Sequence, residues 1–348
     1  MKTASPIARC RFPTGEPPAP APHVSPLTFH VSRLTPRAFT LTEILVTVAL
    51  LSFIVLGLFA MFNQTQRAFQ ASMTQSDILE AGRAVTEMIP PELEQIAPSL
   101  GNAVNFSAAM IPNTAPLIQF LPGTIPPSTP QQRTNFLEDC FLLLRQNQTW
   151  IGIGYCVRTN DATGHLWLPE VLSGQLGAGT LYRYTTSTNV LLTNGLPADP
   201  GQLYALFKTA SQIGSAAISN RICDGVVHFR LRAFATNGFP LFYDGFHTNA
   251  CFRTNSLTVG GSLVRQTLTV PNFGCPDNWS TLYFWSNAVP AAVELELGLL
   301  EQSAWDRYNS IPSPAARLTY LQRDDTSSRV HLFRQRIPIP NVDPSAYQ

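Results

Sequence analysis

Residues 39–62 read FTLTEILVTVALLSFIVLGLFAMF, and this stretch decides the architecture of the chain. The segment has 24 residues, and Glu43 is its only charged one. Because an α-helix rises about 1.5 Å per residue, a helix of this length reaches across the roughly 30 Å hydrocarbon layer of a bilayer. The sequence therefore predicts a transmembrane helix over residues 39–62.

The residues before this segment indicate its orientation. Residues 1–38 contain eight prolines, too many for a helix or a central strand, and we interpret them as a leader without regular structure. The charged residues of the leader are Lys2, Arg9, Arg11, Glu16, Arg33 and Arg37. Since this basic excess precedes the apolar segment, we expect a single-pass membrane protein with a cytoplasmic leader and the rest of the chain outside the cytoplasm. A secretory signal is the competing interpretation, but its apolar region is shorter and ends at a small-residue cleavage site.

The helix is predicted to continue beyond the lipid. Residues 63–90 are more polar, yet apolar side chains recur at a spacing of three or four residues, which is typical of an amphipathic helix. This stripe consists of Ile78, Ala81, Val85, Met88 and Ile89. Pro90 and Pro91 are predicted to end the helix, because a proline ring cannot donate to the helical hydrogen-bond ladder.

Residues 91–348, here called the β domain, contain short apolar or alternating runs separated by turn residues. We expect this domain to be extracytoplasmic. The predicted strands are 117–121, 141–145, 150–157, 180–184, 203–208, 225–235, 241–243, 281–285, 292–299 and 330–337. Ser313 followed by Pro314 predicts a short helix to Leu321, and residues 100–135 and 245–280 are predicted to be long loops. The fold class is therefore α+β, a long N-terminal helix packed on a mostly antiparallel β domain.

Two of these strands alternate between apolar and charged residues. His228, Arg230 and Arg232 share one face of strand 225–235, and Glu294 and Glu296 share one face of strand 292–299. This pattern predicts one face in solvent and one on the core in each strand.

The composition argues against several classes of function. Hydrophobic residues make up 45% of the 348 residues and charged residues only 13%, and the net charge is +1. Since no cluster of basic residues interleaved with aromatics is present, we expect no nucleic-acid partner. The chain has no GxGxxG motif, phosphate loop, HExxH motif or GxSxG motif, so the sequence predicts no cofactor and no catalytic residue.

The remaining polar candidates have simpler interpretations. His165, His228, His247 and His331 are scattered, and the two within strands are predicted to face solvent. The Asn160-Asp161 and Asp324-Asp325 pairs lack the spacing of a calcium loop and are interpreted as turn residues, so no metal ligand is assigned. The aromatic residues Phe239, Phe242, Tyr243 and Phe246 are interpreted as core or hairpin packing.

The cysteines are Cys10, Cys140, Cys156, Cys223, Cys251 and Cys275, without a CxxC motif. In an oxidising compartment up to two disulfides could form among the five beyond the leader, with Cys251–Cys275 as the first candidate pair. Buried free thiols are an alternative that the sequence leaves open.

The segment Arg37-Ala38-Phe39-Thr40-Leu41-Thr42-Glu43 combines a basic leader, a small residue, a phenylalanine and a glutamate five residues into an apolar helix. It resembles the processing signature of type IV prepilins and pseudopilins, and this resemblance implies that the α+β fold is pilin-like. The resemblance implies that a membrane prepilin peptidase cleaves between Ala38 and Phe39 and methylates the Phe39 amine. Ala38 stands where that family usually has glycine.

Glu43 also has a physical interpretation of its own. A carboxylate near the end of a lipid-buried helix is costly, so it is expected where a cation neutralises it. Cleavage before Phe39 would supply such a cation, the new amino group. In the assemblies that the sequence resembles, this glutamate meets the N-terminal amine of a neighbouring subunit; the alternative is a plain anchor with Glu43 near the headgroups.

The resemblance extends to the far end of the chain. Residues 289–297, VPAAVELEL, and residues 329–338, RVHLFRQRIP, are similar to the closing strands of J-type minor pseudopilins. The K type typically lacks the glutamate that Glu43 provides. By this resemblance the chain would be a minor pseudopilin or minor pilin that starts or caps a filament of type II secretion or of a type IV pilus.

The resemblance implies as partners the prepilin peptidase, other minor subunits through the N-terminal helix, lipid of the inner (cytoplasmic) membrane and secreted cargo. A surface-displayed, adhesin-like binding module that uses the same processing signal is the alternative function. An anchored enzyme is the least favoured, because no arrangement of residues supports it.

Overall fold

The computed structural model of the chain describes residues 40–99, 103–111, 114–121, 131–160, 166–172, 174–190, 200–212, 220–238, 256–259, 262–268, 280–285 and 288–342. The chain divides into two compact units, Met1–Asn63 and Gln64–Gln348. The described helices are α1 (Leu41–Glu94), α2 (Gly201–Gln212), α3 (Gln302–Ser310), α4 (Pro314–Gln322) and α5 (Asp324–Ser327). The described strands are β1 (Val104–Met110), β2 (Leu117–Phe120), β3 (Gln132–Asn135), β4 (Glu138–Gln146), β5 (Thr149–Asn160), β6 (Leu166–Trp167), β7 (Glu170–Leu172), β8 (Gln175–Leu176), β9 (Gly179–Asn189), β10 (Asn220–Phe234), β11 (Ser256–Val259), β12 (Ser262–Leu268), β13 (Ser280–Trp285), β14 (Ala292–Leu300) and β15 (Val330–Pro338).

Helix α1 confirms the prediction of one long N-terminal helix. It has 54 residues, and its first part contains the apolar segment. The large apolar side chains from Leu41 to Phe62 are all more than half exposed. Among the described residues, α1 is the one helix long and apolar enough to cross a membrane.

The end of α1 differs from the prediction. Pro90 and Pro91 lie inside the helix, which continues to Glu94. Each proline removes one backbone donor, but the apolar stripe continues beyond them and Leu93 is fully buried. Burial of the last turn in the core is consistent with a helix that tolerates both rings so close to its end.

The apolar stripe of α1 packs on the core as predicted. Ile78, Val85 and Ile89 are buried, while Ala81 and Met88 are half-buried against the same cluster. Gly82 lies under the ring of Phe333 in β15, and a side chain at this position would meet that ring. A glycine on the stripe therefore lets the helix and the strand approach closely.

In the part of the chain that the structure describes, the main sheet has eleven strands, and their pairings are antiparallel. The order is β11-β12-β13-β1-β4-β5-β9-β10-β14-β15, with β6 added beside β5. The pair β2-β3 and the pair β7-β8 form separate small sheets. The predicted α+β class, a long helix together with a mostly antiparallel sheet, is confirmed.

The sheet curls on itself. Leu137, next to the start of β4, forms a bridge with Phe229 of β10, although β5 and β9 lie between those strands in the sheet. The backbone N–H of Phe229 donates to the carbonyl oxygen of Phe136 at 2.7 Å. The curled face encloses the main core, where the stripe of α1 is buried with residues of β4, β5, β10 and β14.

Several strand predictions are confirmed, and one is wrong. The structure has strands, as expected, within residues 117–121, 141–145, 150–157, 180–184, 225–235, 281–285, 292–299 and 330–337. Residues 203–208 instead belong to helix α2, because Leu203, Phe207 and Ala210 are buried at a helical spacing of four and three residues. The predicted strand 241–243 lies outside the described residues.

Helix α2 packs on a part of the sheet where two glycines of β5 leave room for it. A side chain at Gly154 would meet the ring of Phe207, and one at Gly152 would meet Leu203. Glycine in a strand interior often marks such a close approach.

The predicted long loops were partly wrong. Strands β1 and β3 lie within residues 100–135, and β11 and β12 lie within residues 245–280. Helix α3 was not predicted, whereas the predicted helix that begins after Ser313 is confirmed as α4.

Candidate functional site

The first candidate site is the start of α1, where Thr40 precedes the helix and Glu43 lies in its first turn. The backbone N–H of Thr40 donates to Glu43 Oε2 at 2.9 Å, and the Thr40 hydroxyl donates to the same oxygen at 2.9 Å. The backbone N–H of Glu43 lies 3.4 Å from the Thr40 hydroxyl oxygen. This reciprocal arrangement is a capping box, in which the two residues satisfy each other's free backbone donors.

Glu43 therefore also has a local role, as part of the cap of α1. The Thr-x-x-Glu spacing was visible in residues 40–43 and is the sequence signature of this cap. Of the three predicted processing and assembly residues, Ala38 and Phe39 lie outside the described residues. The cut between them remains a prediction.

The other candidate residues do not form a common site. Among the described residues, no group of three or more His, Cys, Asp or Glu side chains is placed to hold a metal ion. His331 Nε2 lies 3.4 Å from Glu301 Oε1. Asp324 and Asp325 begin helix α5, with Asp325 3.1 Å from Arg323 Nε. His165, His247, Asp161 and the aromatic residues Phe239, Phe242, Tyr243 and Phe246 lie outside the described residues.

Three of the cysteines are free thiols. Cys140, Cys156 and Cys223 are buried and unbonded, as the alternative interpretation of the cysteines expected. Burial raises the pKa of Cys156 and that of Cys223 to about 12 each, so both are protonated at neutral pH. Cys10 and the candidate pair Cys251–Cys275 lie outside the described residues.

The second candidate site is a charge ladder across β10, β14 and β15. Arg230 of β10 is paired in register with Glu296 of β14, which is paired with Arg334 of β15. Two residues further along, Arg232, Glu294 and Arg336 are aligned in the same way. The ladder therefore alternates between positive, negative and positive columns.

The predicted solvent face of β10 is wrong. Arg230 is 8% exposed and Glu296 is 3% exposed. The ring of Phe136, from the segment before β4, lies 4.5 Å from the Arg230 guanidinium carbon. Because this segment covers the strand, the charged face of β10 is buried and its charges must pair within the protein.

His228 belongs to this buried face, and its hydrogen bonds fix its tautomer. The backbone N–H of Phe136 donates to His228 Nδ1 at 3.1 Å, so Nδ1 is an acceptor. Nε2 then carries the proton and donates to Glu296 Oε2 at 3.2 Å. Burial lowers the pKa of His228 below its ordinary value, which keeps the ring neutral.

Glu138 of β4 and Glu296 of β14, the two buried glutamates next to the charged face of β10, have opposite pKa shifts. Burial raises the pKa of Glu138 to about 7, although Arg230 Nε lies 3.2 Å from Glu138 Oε1 and the backbone N–H of Leu231 donates to Glu138 Oε2. Burial alone would also raise the pKa of Glu296, but the hydrogen bond from His228 and the nearby arginines lower it to about 2. Glu138 is thus the member that changes charge near neutral pH.

Replacing Glu138 by glutamine is expected to change the pH dependence of stability. Between the ordinary pKa of 4.5 and the folded value of about 7, the native protein keeps a proton that the unfolded chain releases. Stability contributed by Glu138 therefore falls as the pH rises through this window, by about 3 kcal/mol in all. Urea unfolding of the wild type and of Glu138→Gln across this pH range gives the free energy of unfolding of each protein. The effect of Glu138 is the difference between the two, because His228 and Glu296 are present in both proteins and their contributions cancel. Parallel curves for the two proteins would contradict the assignment.

The third candidate site is a buried ion pair that joins β4, β5 and α2. The guanidinium of Arg158 donates to both carboxylate oxygens of Asp139, at 2.8 Å and 2.6 Å, and Arg158 is 2% exposed. Its Nε and Nη2 atoms also donate to the carbonyl oxygen of Ser211 at 3.0 Å and 2.8 Å. Arg158 therefore satisfies a carbonyl in the last turn of α2 as well as the aspartate.

A fourth group attaches the last turn of α1 to the sheet. Arg183 of β9 donates to Glu92 Oε1 at 3.0 Å and 2.7 Å, and the Tyr155 hydroxyl of β5 donates to Glu92 Oε2. All three side chains are at least partly buried. The group positions the last turn of the helix on the core.

Comparison of the chain with protein-family models, with curated proteins and with solved structures gave no match.

Proposed function

We propose that the chain is a minor pilin-like subunit, most similar in role to a J-type minor pseudopilin of type II secretion, which helps to start or cap a filament. The proposed leader, residues 1–38, is removed by a prepilin peptidase between Ala38 and Phe39, and the Phe39 amine is methylated. The mature protein is held in the inner membrane by residues 39–62, with the β domain outside the cytoplasm.

The observation that carries this proposal is the apolar first part of α1 with Glu43 as its only charge. Its large side chains are exposed, from Leu41 to Phe62, so the segment needs lipid or other helices to cover it. Polar and charged groups within such a segment are tolerated where they have partners. A basic leader before the segment and a small residue before Phe39 are the further sequence features that support the proposal.

In this role the protein acts by assembly, without a catalytic residue, cofactor or metal ion. Packing of the 39–62 helices in lipid joins subunits to one another, because close van der Waals contact drives helix association there. Neutralisation of Glu43 by the Phe39 amine, of the same subunit or of the next, favours one alignment of neighbouring helices. The β domain then contacts other minor subunits or secreted cargo.

Substitution of Ala38 tests the proposed cleavage. On co-expression with a prepilin peptidase, we expect the wild type to lose its first 38 residues, as seen by a shift in electrophoresis. Ala38→Leu is expected to stay at full length, since a bulky residue takes the place of the small one before the cut, whereas Ala38→Gly is cut. Ala21→Leu, elsewhere in the leader, is the matched control and is cut like the wild type. A wild type that keeps its leader, or an Ala38→Leu variant that is cut normally, would refute the proposal.

A further inference from the structure

Strand β15 is the last strand of the main sheet, and one of its two long sides is unpaired among the described residues. The carbonyl oxygen of Arg329 accepts from the Glu301 N–H at 3.0 Å, and the Ile339 N–H donates to the Ala291 carbonyl at 3.0 Å. In an antiparallel ladder, alternate residues point their backbone groups to the same side. The odd-numbered residues of β15 therefore bond to β14, and the even-numbered ones point outward.

The outward-pointing residues define what we call the outer edge of β15. They are Val330, Leu332, Arg334 and Arg336, followed by Pro338, which has no N–H. Leu332 is 43% exposed, and both arginines are exposed. A row of backbone donors and acceptors of this kind accepts a further strand from another chain.

The charges on this edge indicate which strand would fit. The charge ladder ends at β15 on a positive column, Arg334 and Arg336, which stand two residues apart. Arg334 Nε is 3.5 Å from Glu296 Oε1, while the Arg334 side chain remains 60% exposed. Opposite charges that face each other across two strands stabilise the pairing, and like charges oppose it. A strand that continues the ladder would carry two acidic residues two positions apart.

We propose that the outer edge of β15 binds an extended acidic segment of another protein, added as an antiparallel strand with two carboxylates opposite Arg334 and Arg336. A second copy of this chain is a poorer partner for the edge, because pairing β15 with itself would bring arginines together. The proposal depends on the sheet edge alone and is independent of the proposed cleavage of the leader.

Binding of synthetic peptides to the full-length protein in detergent tests this proposal. The probe has nine residues, as β15 has, and alternates valine and threonine except for two glutamates two positions apart. Fluorescence anisotropy is expected to show at least about tenfold tighter binding of this peptide than of the same peptide with lysines in place of the glutamates. Equal affinity for the two peptides, or no binding of either, would overturn the proposal.

Backbone methylation of the peptide separates strand addition from simple charge attraction. In the proposed pairing the amides of the two glutamates face β15, and the amides between and beside them face solvent. Methylation of the glutamate amides should abolish binding, and methylation of their neighbours should leave it unchanged. Equal effects of the two methylations would exclude an added strand.

Protein variants test the contribution of the two arginines. Arg334→Gln and Arg336→Gln are each expected to weaken binding of the glutamate peptide by about threefold. Arg83→Gln is the matched control, because Arg83 is an exposed arginine beside a glutamate, Glu87, on helix α1. Affinity that is unaffected by the two edge substitutions, or lowered equally by the control, would contradict the role of the edge.

Discussion

Arg158→Met is expected to destabilise the β domain by about 3 to 5 kcal/mol, because it leaves the Asp139 carboxylate buried without its cation. Methionine keeps most of the volume of the side chain, so loss of packing contributes little. The substitution also removes two hydrogen bonds to the Ser211 carbonyl in the last turn of α2. Urea unfolding of the purified full-length chain, followed by tryptophan fluorescence, measures the change in the free energy of unfolding.

Arg221→Met provides the matched control for this prediction. Arg221 also pairs with an aspartate, Asp224, but its side chain is 63% exposed. Surface pairs contribute little, so we expect a loss of no more than about 1 kcal/mol. The double variant Arg158→Met with Asp139→Leu should recover much of the lost stability, since it removes both buried charges. The interpretation fails if Arg158→Met costs no more than Arg221→Met.

Glu43→Gln is expected to leave membrane insertion intact and to reduce incorporation into filaments by about tenfold or more. The amide can still accept a hydrogen bond from the Thr40 N–H, as glutamine does in many capping boxes, so the start of the helix is preserved. What the substitution removes is the negative charge that pairs with the Phe39 amine in the proposed assembly. Co-purification with partner minor subunits from membranes measures incorporation.

Two further variants distinguish the charge of Glu43 from its cap. Glu43→Ala removes both and should fail to assemble to the same extent as Glu43→Gln. Thr40→Ala removes the cap hydroxyl but keeps the carboxylate, and should assemble close to the wild-type level. If Glu43→Gln assembles normally while Thr40→Ala does not, helix capping rather than charge pairing explains the glutamate.

The sequence predicted the features that depend on local periodicity. The long helix follows from an apolar run joined to a stripe at a spacing of three or four, and strands β4, β5 and β10 follow from apolar or alternating runs between turn residues. Helix α2 was misassigned because its run of five apolar or aromatic residues, 203–207, fits a strand or a helix equally well. The helix packs closely at this place because Gly152 and Gly154, in the strand beneath it, have no side chains to meet Leu203 and Phe207.

The buried charges could not be predicted, because their partners are distant in sequence. Alternation in β10 placed Arg230 on a face opposite the core, and that face is covered by the segment that contains Phe136. Strand β1 was hidden for a similar reason: Asn105 is polar, yet it is fully buried and donates to the Ala288 carbonyl at 2.8 Å. The Thr40–Glu43 cap, by contrast, was readable from its spacing.

In the proposed assembly Glu43 lies near a newly formed amino group on residue 39. Mass spectrometry of the N-terminus of the protein purified from its native membrane tests it most directly. We expect a mature chain that begins at Phe39 and carries one methyl group on its amine. A chain that retains residues 1–38, or begins at another residue, would contradict it.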